Sequence, residues 1–347
     1  MQIQSASPPR SHDRRWARAV RFCAIRIPLT LALASLLYYL GRFEWILPYA
    51  GDGHYTEELT LKGWVVLMHS VLTTIIHKTI YTFFEPFGWR AWNAIAFSSA
   101  LAGGMAIQVL YAIRRRPLFL FTNIAAGSFL VFVGEVESYA WVNFFLLLTF
   151  LAVERFLNRQ WSFWPAALFF FLAALCHMLA LFYLPALFWI MRRDSRINPW
   201  EFLGPFLGFI AFYLLFLLLL PREGLDLDIS RLTPLFQINR KGQLFTFFSL
   251  AHWELLAYFH WKSSFFQCLP IEIPLLILLR KRIHSPFQIY LLFCSLLGLC
   301  WTLVWHPDLG RLDWDLFSQA FIPIHVLLGI IFCDIFPLHR KCESHSS

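Results

Sequence analysis

Long apolar runs, broken by short patches of basic or acidic residues, set the pattern of this chain. A helix that crosses the hydrocarbon core of a bilayer needs about 20 apolar residues, because each residue advances it by about 1.5 Å. Runs of roughly that kind predict helices over Ile25–Leu47, Trp92–Ile113, Pro117–Val133, Ala140–Phe156, Pro199–Leu220, Ser264–Leu279, Pro286–Trp305 and Leu316–Phe336. The run Trp161–Ile190 is too long for one ordinary span and carries His177 in its middle, so it is read as two short helices that meet near the outer face. The expected fold class is all-α: a polytopic integral membrane protein of about ten transmembrane helices.

The basic residues orient the pattern. Arg10, Arg14, Arg15, Arg18 and Arg21 precede the first apolar run. The positive-inside rule then puts residues 1–24 in the cytoplasm as a basic tail and sends the first helix outward. No small-residue cleavage site follows that helix, so the tail is read as retained. Leu59–Phe84 is apolar enough to span, but it holds Lys62, His69, His77 and Lys78, which are costly in the bilayer core. A span there would also push Arg114-Arg115-Arg116 outside. The better reading is an interfacial helical region inside a long first outer loop, 48–91, that ends at Glu85-Pro86-Phe87-Gly88. With that choice Arg114–Arg116, Arg155, Arg159, Arg192-Arg193, Arg280-Lys281-Arg282 and His339-Arg340-Lys341 all fall inside. Further outer loops are 221–262 and 306–315. The transmembrane domain is 25–338, the last residues, 339–347, form a second cytoplasmic tail, and both termini are cytoplasmic.

Composition agrees. The chain is 59% hydrophobic and 14% charged, against about 25% charged in soluble domains. The formal charge of +8 lies in the clusters between apolar runs, so topology explains it and nucleic acid is not a partner. The seven cysteines lack metal-type CxxC spacing and read as small buried apolar residues.

Acidic residues gather on the outer side. The first group is Gly51-Asp52-Gly53-His54-Tyr55-Thr56-Glu57-Glu58, a tight glycine turn with Asp52 at its tip and His54 beside it. The second is Glu135 and Glu137, which both face outward only where the backbone is extended or turning. The third lies in the 221–262 loop, with Asp226, Asp228, Arg231, Arg240, Lys241, His252 and Glu254. The fourth is His306 through Asp315, with Arg311, Asp313 and Asp315. An unpaired carboxylate near apolar surroundings is expensive, which makes such groups candidates for chemistry. His177 reads as a hydrogen-bonded packing residue. HExxH, GxSxG, Walker A and GxGxxG patterns are absent, and the irregular histidine spacing does not indicate zinc.

The layout resembles the GT-C superfamily of membrane glycosyltransferases, and is similar to the aminoarabinose transferases and protein O-mannosyltransferases. The residues that carry the resemblance are Gly51-Asp52-Gly53-His54, the Glu85-Pro86-Phe87-Gly88 element, the helix Ala94 to Gly104 that closes on arginines, and the acids Glu135 and Glu137 after the third helix. It covers about Arg21 to Arg193. It implies a polyprenyl-phosphate sugar donor and a base or acceptor-orienting acid at Asp52, assisted by Glu135 or Glu137. It further implies a divalent metal, Mg or Mn, with Asp52 and Glu137 as ligands. This chain departs from the pattern: Gly53-His54 follows the first Asp where many members have a second acid, and glutamate replaces aspartate in the second loop.

Transfer from a lipid phosphate needs a carboxylate for the acceptor and cations for the departing phosphate. Arg311 and Arg231 are candidates for the phosphate, and His54, His252, Asp313 and Asp315 for substrate contacts. The expected function is sugar transfer to a lipid, glycan or protein acceptor at the extracytoplasmic face, with membrane lipids as the surroundings. Short loops favour a bacterial inner membrane. Alternative readings are a transporter, or an envelope-polymer ligase or acyltransferase.

Overall fold

The computed structural model describes residues 11–42, 53–223, 249–265, 271–304, 311 and 314–337, with side chains from residue 25 onward. Thirteen α-helices are found among them. The helix α1 (Ser11–Leu40) is followed by α2 (Gly53–Leu61) and α3 (Val71–Phe84), then α4 (Ala91–Ile113) and α5 (Pro117–Ile124). The chain continues through α6 (Tyr139–Leu157), α7 (Trp164–Cys176), α8 (Leu184–Arg193) and α9 (Pro199–Leu219). The last four are α10 (Leu250–Ser263), α11 (Glu272–Leu279), α12 (Pro286–Val304) and α13 (Trp314–Ile335). Two short strands, β1 (Val66–Leu67) and β2 (Arg222–Glu223), pair in parallel and tie the α2–α3 region to the end of α9.

Five helices, α4, α6, α9, α12 and α13, are long and apolar enough to cross a membrane. They differ in what covers them. The apolar surface of α13 runs all the way round, and almost every side chain of this helix is buried, as expected for a helix at the centre of a bundle. It packs on α12, α5, α6 and α10. Helix α6 lies between α4 and α7. By contrast α9 turns Leu207, Leu214, Leu215, Leu218 and Leu219 outward, as suits a helix bathed in lipid.

The region 53–84 forms helices of 9 and 14 residues separated by β1, each shorter than a span. Trp161–Ile190 is interrupted where expected. The His177 backbone is extended between α7 and a 3-10 turn, Met178–Tyr183, and its Nδ1 accepts the Leu179 amide at 3.2 Å.

Four predicted elements come out differently, the first being the helix expected over Ile25–Leu47, which runs Ser11–Leu40 and so starts within the basic segment and stops short of Leu47. Pro117–Val133 is not continuous: α5 stops at Ile124 and a 3-10 turn follows over Gly127–Phe132. The cause is a partner strand. The Gly127 amide donates to the Ser264 carbonyl at 2.8 Å, and Ala126 forms an antiparallel bridge with Phe265. A side chain at Gly127 would put its Cβ 1.8 Å from the Lys262 carbonyl oxygen, so glycine is what lets the two backbones meet. For the same reason Ser264–Leu279 is not one helix; its helical part, α11, begins at Glu272. The final part of the 221–262 loop is the helix α10.

The two interruptions enclose a buried polar group. Ser128 Oγ and His325 Nδ1 are 3.0 Å apart, His325 Nε2 lies 3.5 Å from Glu272 Oε1, and that oxygen accepts the Phe265 amide at 2.8 Å. Irregular backbone inside a bundle is tolerated where protein groups satisfy it, and Glu272 does so here. The far end of α6 is held by arginines. Arg114 pairs with the buried Glu154, and Arg155 donates to the Ala112 carbonyl at 2.5 Å.

Candidate functional site

The site is built at the N-terminal ends of α6 and α13. Gly134 takes a positive φ of 87°, which reverses the chain after the 3-10 turn and before α6. This turn is what frees Glu135 and Glu137 to face the same way although they are two residues apart. Asp315 comes to the same place from the first turn of α13. One carboxylate oxygen from each of Glu135, Glu137 and Asp315 lies within 4.8 Å of the others. Glu137 and Asp315 are buried and Glu135 is half-buried.

The fourth member is Lys262, near the C-terminal end of α10. Its ammonium lies 5.1 Å from the Trp314 ring centre, and it interacts electrostatically with Glu135. The close approach of Gly127 to the Lys262 carbonyl fixes that helix end beside the acids. Burial, and then the negative Asp315, hold the Glu135 carboxyl well above the usual carboxylate range, while the Val136 amide and Lys262 act in the opposite direction. Burial lowers the Lys262 ammonium, and Glu135 opposes that shift. At effective dielectrics near 20, three ionised carboxylates this close repel by about 3–4 kcal/mol per pair. The cluster therefore favours either a retained proton or a bound cation.

An aromatic and imidazole cluster begins two residues beyond Glu137, at Tyr139. The His177 ring centre is 5.2 Å from that of His69 and 5.3 Å from that of Tyr139, the first residue of α6. Thr73 Oγ1 donates to the Cys176 carbonyl at 3.0 Å and reaches the Ser138 carbonyl at 3.5 Å, which holds α3 against the acidic turn.

The expected residues divide into three groups. Glu135, Glu137 and Asp315, drawn from two outer segments, are brought together. His54, Arg311 and His252 lie around or away from them. The ring of His54 is 5.7 Å from that of Trp92, and its neighbour Gly53 touches the acidic turn, with a Cβ position 3.3 Å from the Val136 carbonyl. The Arg311 guanidinium lies 5.3 Å from the Tyr258 ring centre, and Tyr258 is one turn of α10 before Lys262. His252 is buried in the first turn of α10, roughly 15 Å along the helix from Lys262, so it does not join the acids. Asp52, Arg231 and Asp313 lie outside the described residues. Of the expected metal ligands Asp52 and Glu137, Glu137 sits in the cluster. Glu57 and Glu58 have other partners: the Trp92 amide at 3.2 Å and Lys62 at 3.0 Å.

Sequence reasoning missed Lys262. It stood at the edge of a loop, and the signal available was a single lysine in the aromatic stretch Tyr258-Phe259-His260-Trp261-Lys262. Three hard oxygen donors suit Mg, Mn or Ca better than zinc, so the side chains present fit the divalent cation that the resemblance implies. Comparison of the chain with protein-family models, curated proteins and solved structures finds no match.

Proposed function

We propose that this protein is a GT-C-type glycosyltransferase that moves a sugar from a polyprenyl-phosphate donor to a membrane-surface acceptor. The observation that carries the reading is the meeting of Glu135, Glu137 and Asp315 beside Lys262, at the end of the bundle where α2 also begins. Such transfer forms a bond from an acceptor oxygen to the anomeric carbon and breaks the bond from that carbon to the donor phosphate. The acceptor proton goes to an ionised carboxylate of the cluster, for which Glu137 and Asp315 are the candidates beside the proton-holding Glu135. Lys262, with Arg311 one helical turn away through Tyr258, offers positive charge to the departing phosphate. A divalent cation, when bound by the three acids, adds positive charge for that phosphate. His177, His69 and Tyr139 supply a hydrogen-bonding, ring-lined wall of the kind sugars pack against. Asp52, next to Gly53, remains the proposed second acid.

In this reading the acidic end faces the extracytoplasmic side of a bacterial inner membrane and both termini are cytoplasmic. The test is incubation of the purified protein with a panel of labelled polyprenyl-phosphate sugars and a membrane lipid extract. Transfer from at least one donor, lost in Glu137→Gln and in Asp315→Asn, supports the proposal. Unchanged transfer by both variants refutes the site, and no transfer from any donor refutes the activity.

A second reading, transport, draws on one observation. The chain is interrupted at 125–126 and again before α11, around the buried Glu272 and His325. Paired interruptions facing a buried carboxylate are where transporters hold ions. Ion-dependent uptake into proteoliposomes that is lost in Glu272→Gln would favour it over sugar transfer.

A further inference from the structure

The opposite end of the bundle carries a second feature. Helix α6 ends there at Leu157, α8 ends at Arg192 and Arg193, and α12 begins at Pro286. Between them lies a cavity of about 420 Å³ lined by Arg159, Arg193, Arg196, Asp194, Trp189 and Pro286. Beside it runs a mostly apolar groove of about 510 Å³ formed by Leu181, Leu184, Pro185, Phe188 and Phe293, with Arg192 also on its lining. Trp189 lines both, so the charged cavity and the groove adjoin at that side chain.

The arginines of this end are not equivalent. Arg114 is paired with Glu154, Arg155 donates to Ala112 and Gln160, and Arg116 donates to the Cys333 carbonyl at 2.6 Å. In the cavity, Arg196 is taken by Asp194, through Nε at 2.8 Å and a second contact from its Nη2. The side chains of Arg159 and Arg193 donate no hydrogen bond to a protein acceptor among the described residues, although Asp194 attracts Arg159 electrostatically. Arg193 rests on the Trp189 ring at 5.2 Å. Arg159 closes α6 with a φ of 59°, the left-handed position that glycine fills most easily. An arginine there lines the cavity in a backbone conformation that the side chain itself disfavours.

We propose that this cavity and groove bind an anionic phospholipid of the surrounding leaflet. Arg159 and Arg193 take the phosphodiester, since guanidinium groups match phosphate oxygens. One acyl chain lies along Leu184, Phe188 and Phe293, and Trp189 sits at the headgroup level that tryptophan prefers. Three arginines against the single Asp194 leave the cavity lining net positive, and Arg192 adds a further charge at the groove, which selects an anionic diacyl lipid rather than a zwitterionic one. Basic pockets between transmembrane helices bind anionic headgroups in this way. The inference depends on the chain spanning a membrane and is independent of the sugar-transfer reading.

The test uses the full chain in detergent, with phosphatidylglycerol and phosphatidylcholine of matched acyl chains. Native mass spectrometry measures retained lipid and a melting curve measures stabilisation. The variant Arg159→Gly with Arg193→Gln removes two of the cavity's three arginines, and the glycine relieves the backbone at 159, so folding is not put at risk. Arg115→Gln removes an equally exposed arginine that lies outside the cavity lining. The wild type and Arg115→Gln should retain phosphatidylglycerol with a raised melting temperature. The double variant should bind it at least tenfold more weakly, and phosphatidylcholine should stabilise none of them. Equal retention by the double variant, equal binding of phosphatidylcholine, or equal loss in Arg115→Gln would overturn the proposal.

Discussion

Replacing Asp315 by Asn tests the physics of the acidic cluster without removing much volume. The three carboxylates lie within 4.8 Å of one another, so each ionised pair costs about 3.5 kcal/mol at an effective dielectric near 20. Two of the three pairs involve Asp315. Part of that repulsion is already avoided, because Glu135 holds its proton above the usual range, partly through Asp315 itself. The remaining relief is on the order of 1–3 kcal/mol, taking one weakened pair at the same dielectric. Asparagine keeps the oxygen that accepts the Leu316 amide at 2.8 Å, so the first turn of α13 is retained. In EDTA the variant should therefore melt a few degrees above the wild type. With Mg, Mn or Ca the order should reverse. A cation at one hundred times its dissociation constant stabilises a folded protein by about 2.7 kcal/mol, and the variant loses a ligand for it. The assay is a melting curve of detergent-solubilised protein over a cation series, read alongside sugar transfer. If Asp315→Asn melts below the wild type in EDTA, the acids are not repelling one another. If the cation-induced shift survives the substitution, Asp315 is not a ligand. Either result refutes the reasoning.

Three other predictions follow from the fold. His77 is buried on α3, its Nε2 has no partner among the described residues, and burial lowers its pKa from 6.5 to about 3. The unfolded chain takes up that proton first, so stability is full above about pH 6.5 and falls as the pH drops toward 3, by up to about 5 kcal/mol. His77→Leu should flatten the acid limb of melting temperature against pH, and an unchanged limb would show that other groups set it. Gly127→Ala places a Cβ 1.8 Å from the Lys262 carbonyl, so the end of α10 must shift. It should cost about 1–3 kcal/mol or more and reduce transfer through the displaced Lys262; wild-type melting would contradict the close approach. Glu272→Ala leaves the Phe265 amide and the His325 ring without their acceptor, at about 1–3 kcal/mol for each buried group, whereas Glu272→Gln should retain most of the stability. Equal melting of the two variants would refute that role.

The helix boundaries that were legible from pattern are those whose causes are local. Arg114-Arg115-Arg116 ends α4, Pro117 opens α5, Pro199 opens α9 and Pro286 opens α12, because proline suits a first helical turn and clustered charge stays out of lipid. His177 was readable as a break because thirty residues exceed a bilayer. The interruption at 125–126 was not, since nothing in Pro117–Val133 marks it except Gly127, and a lone glycine in an apolar helix is ambiguous. The partner that breaks the helix, Ser264–Phe265, lies about 140 residues away.

The candidate site divides in the same way. The hydrophobic pattern by itself determined an all-helical, membrane-type chain, and the charge pattern offered Glu135, Glu137 and Asp315 only among a larger set of candidate acids headed by Asp52. Which acids meet was decided by tertiary structure. Glu135 and Glu137 converge because Gly134 turns the backbone, and Asp315 joins them because α13 runs through the middle of the bundle and starts beside that turn. Lys262 is there because α10 docks against Gly127. Periodicity along a helix reports which face is apolar. The position of a charged end depends on packing between helices distant in sequence, and no local pattern encodes that.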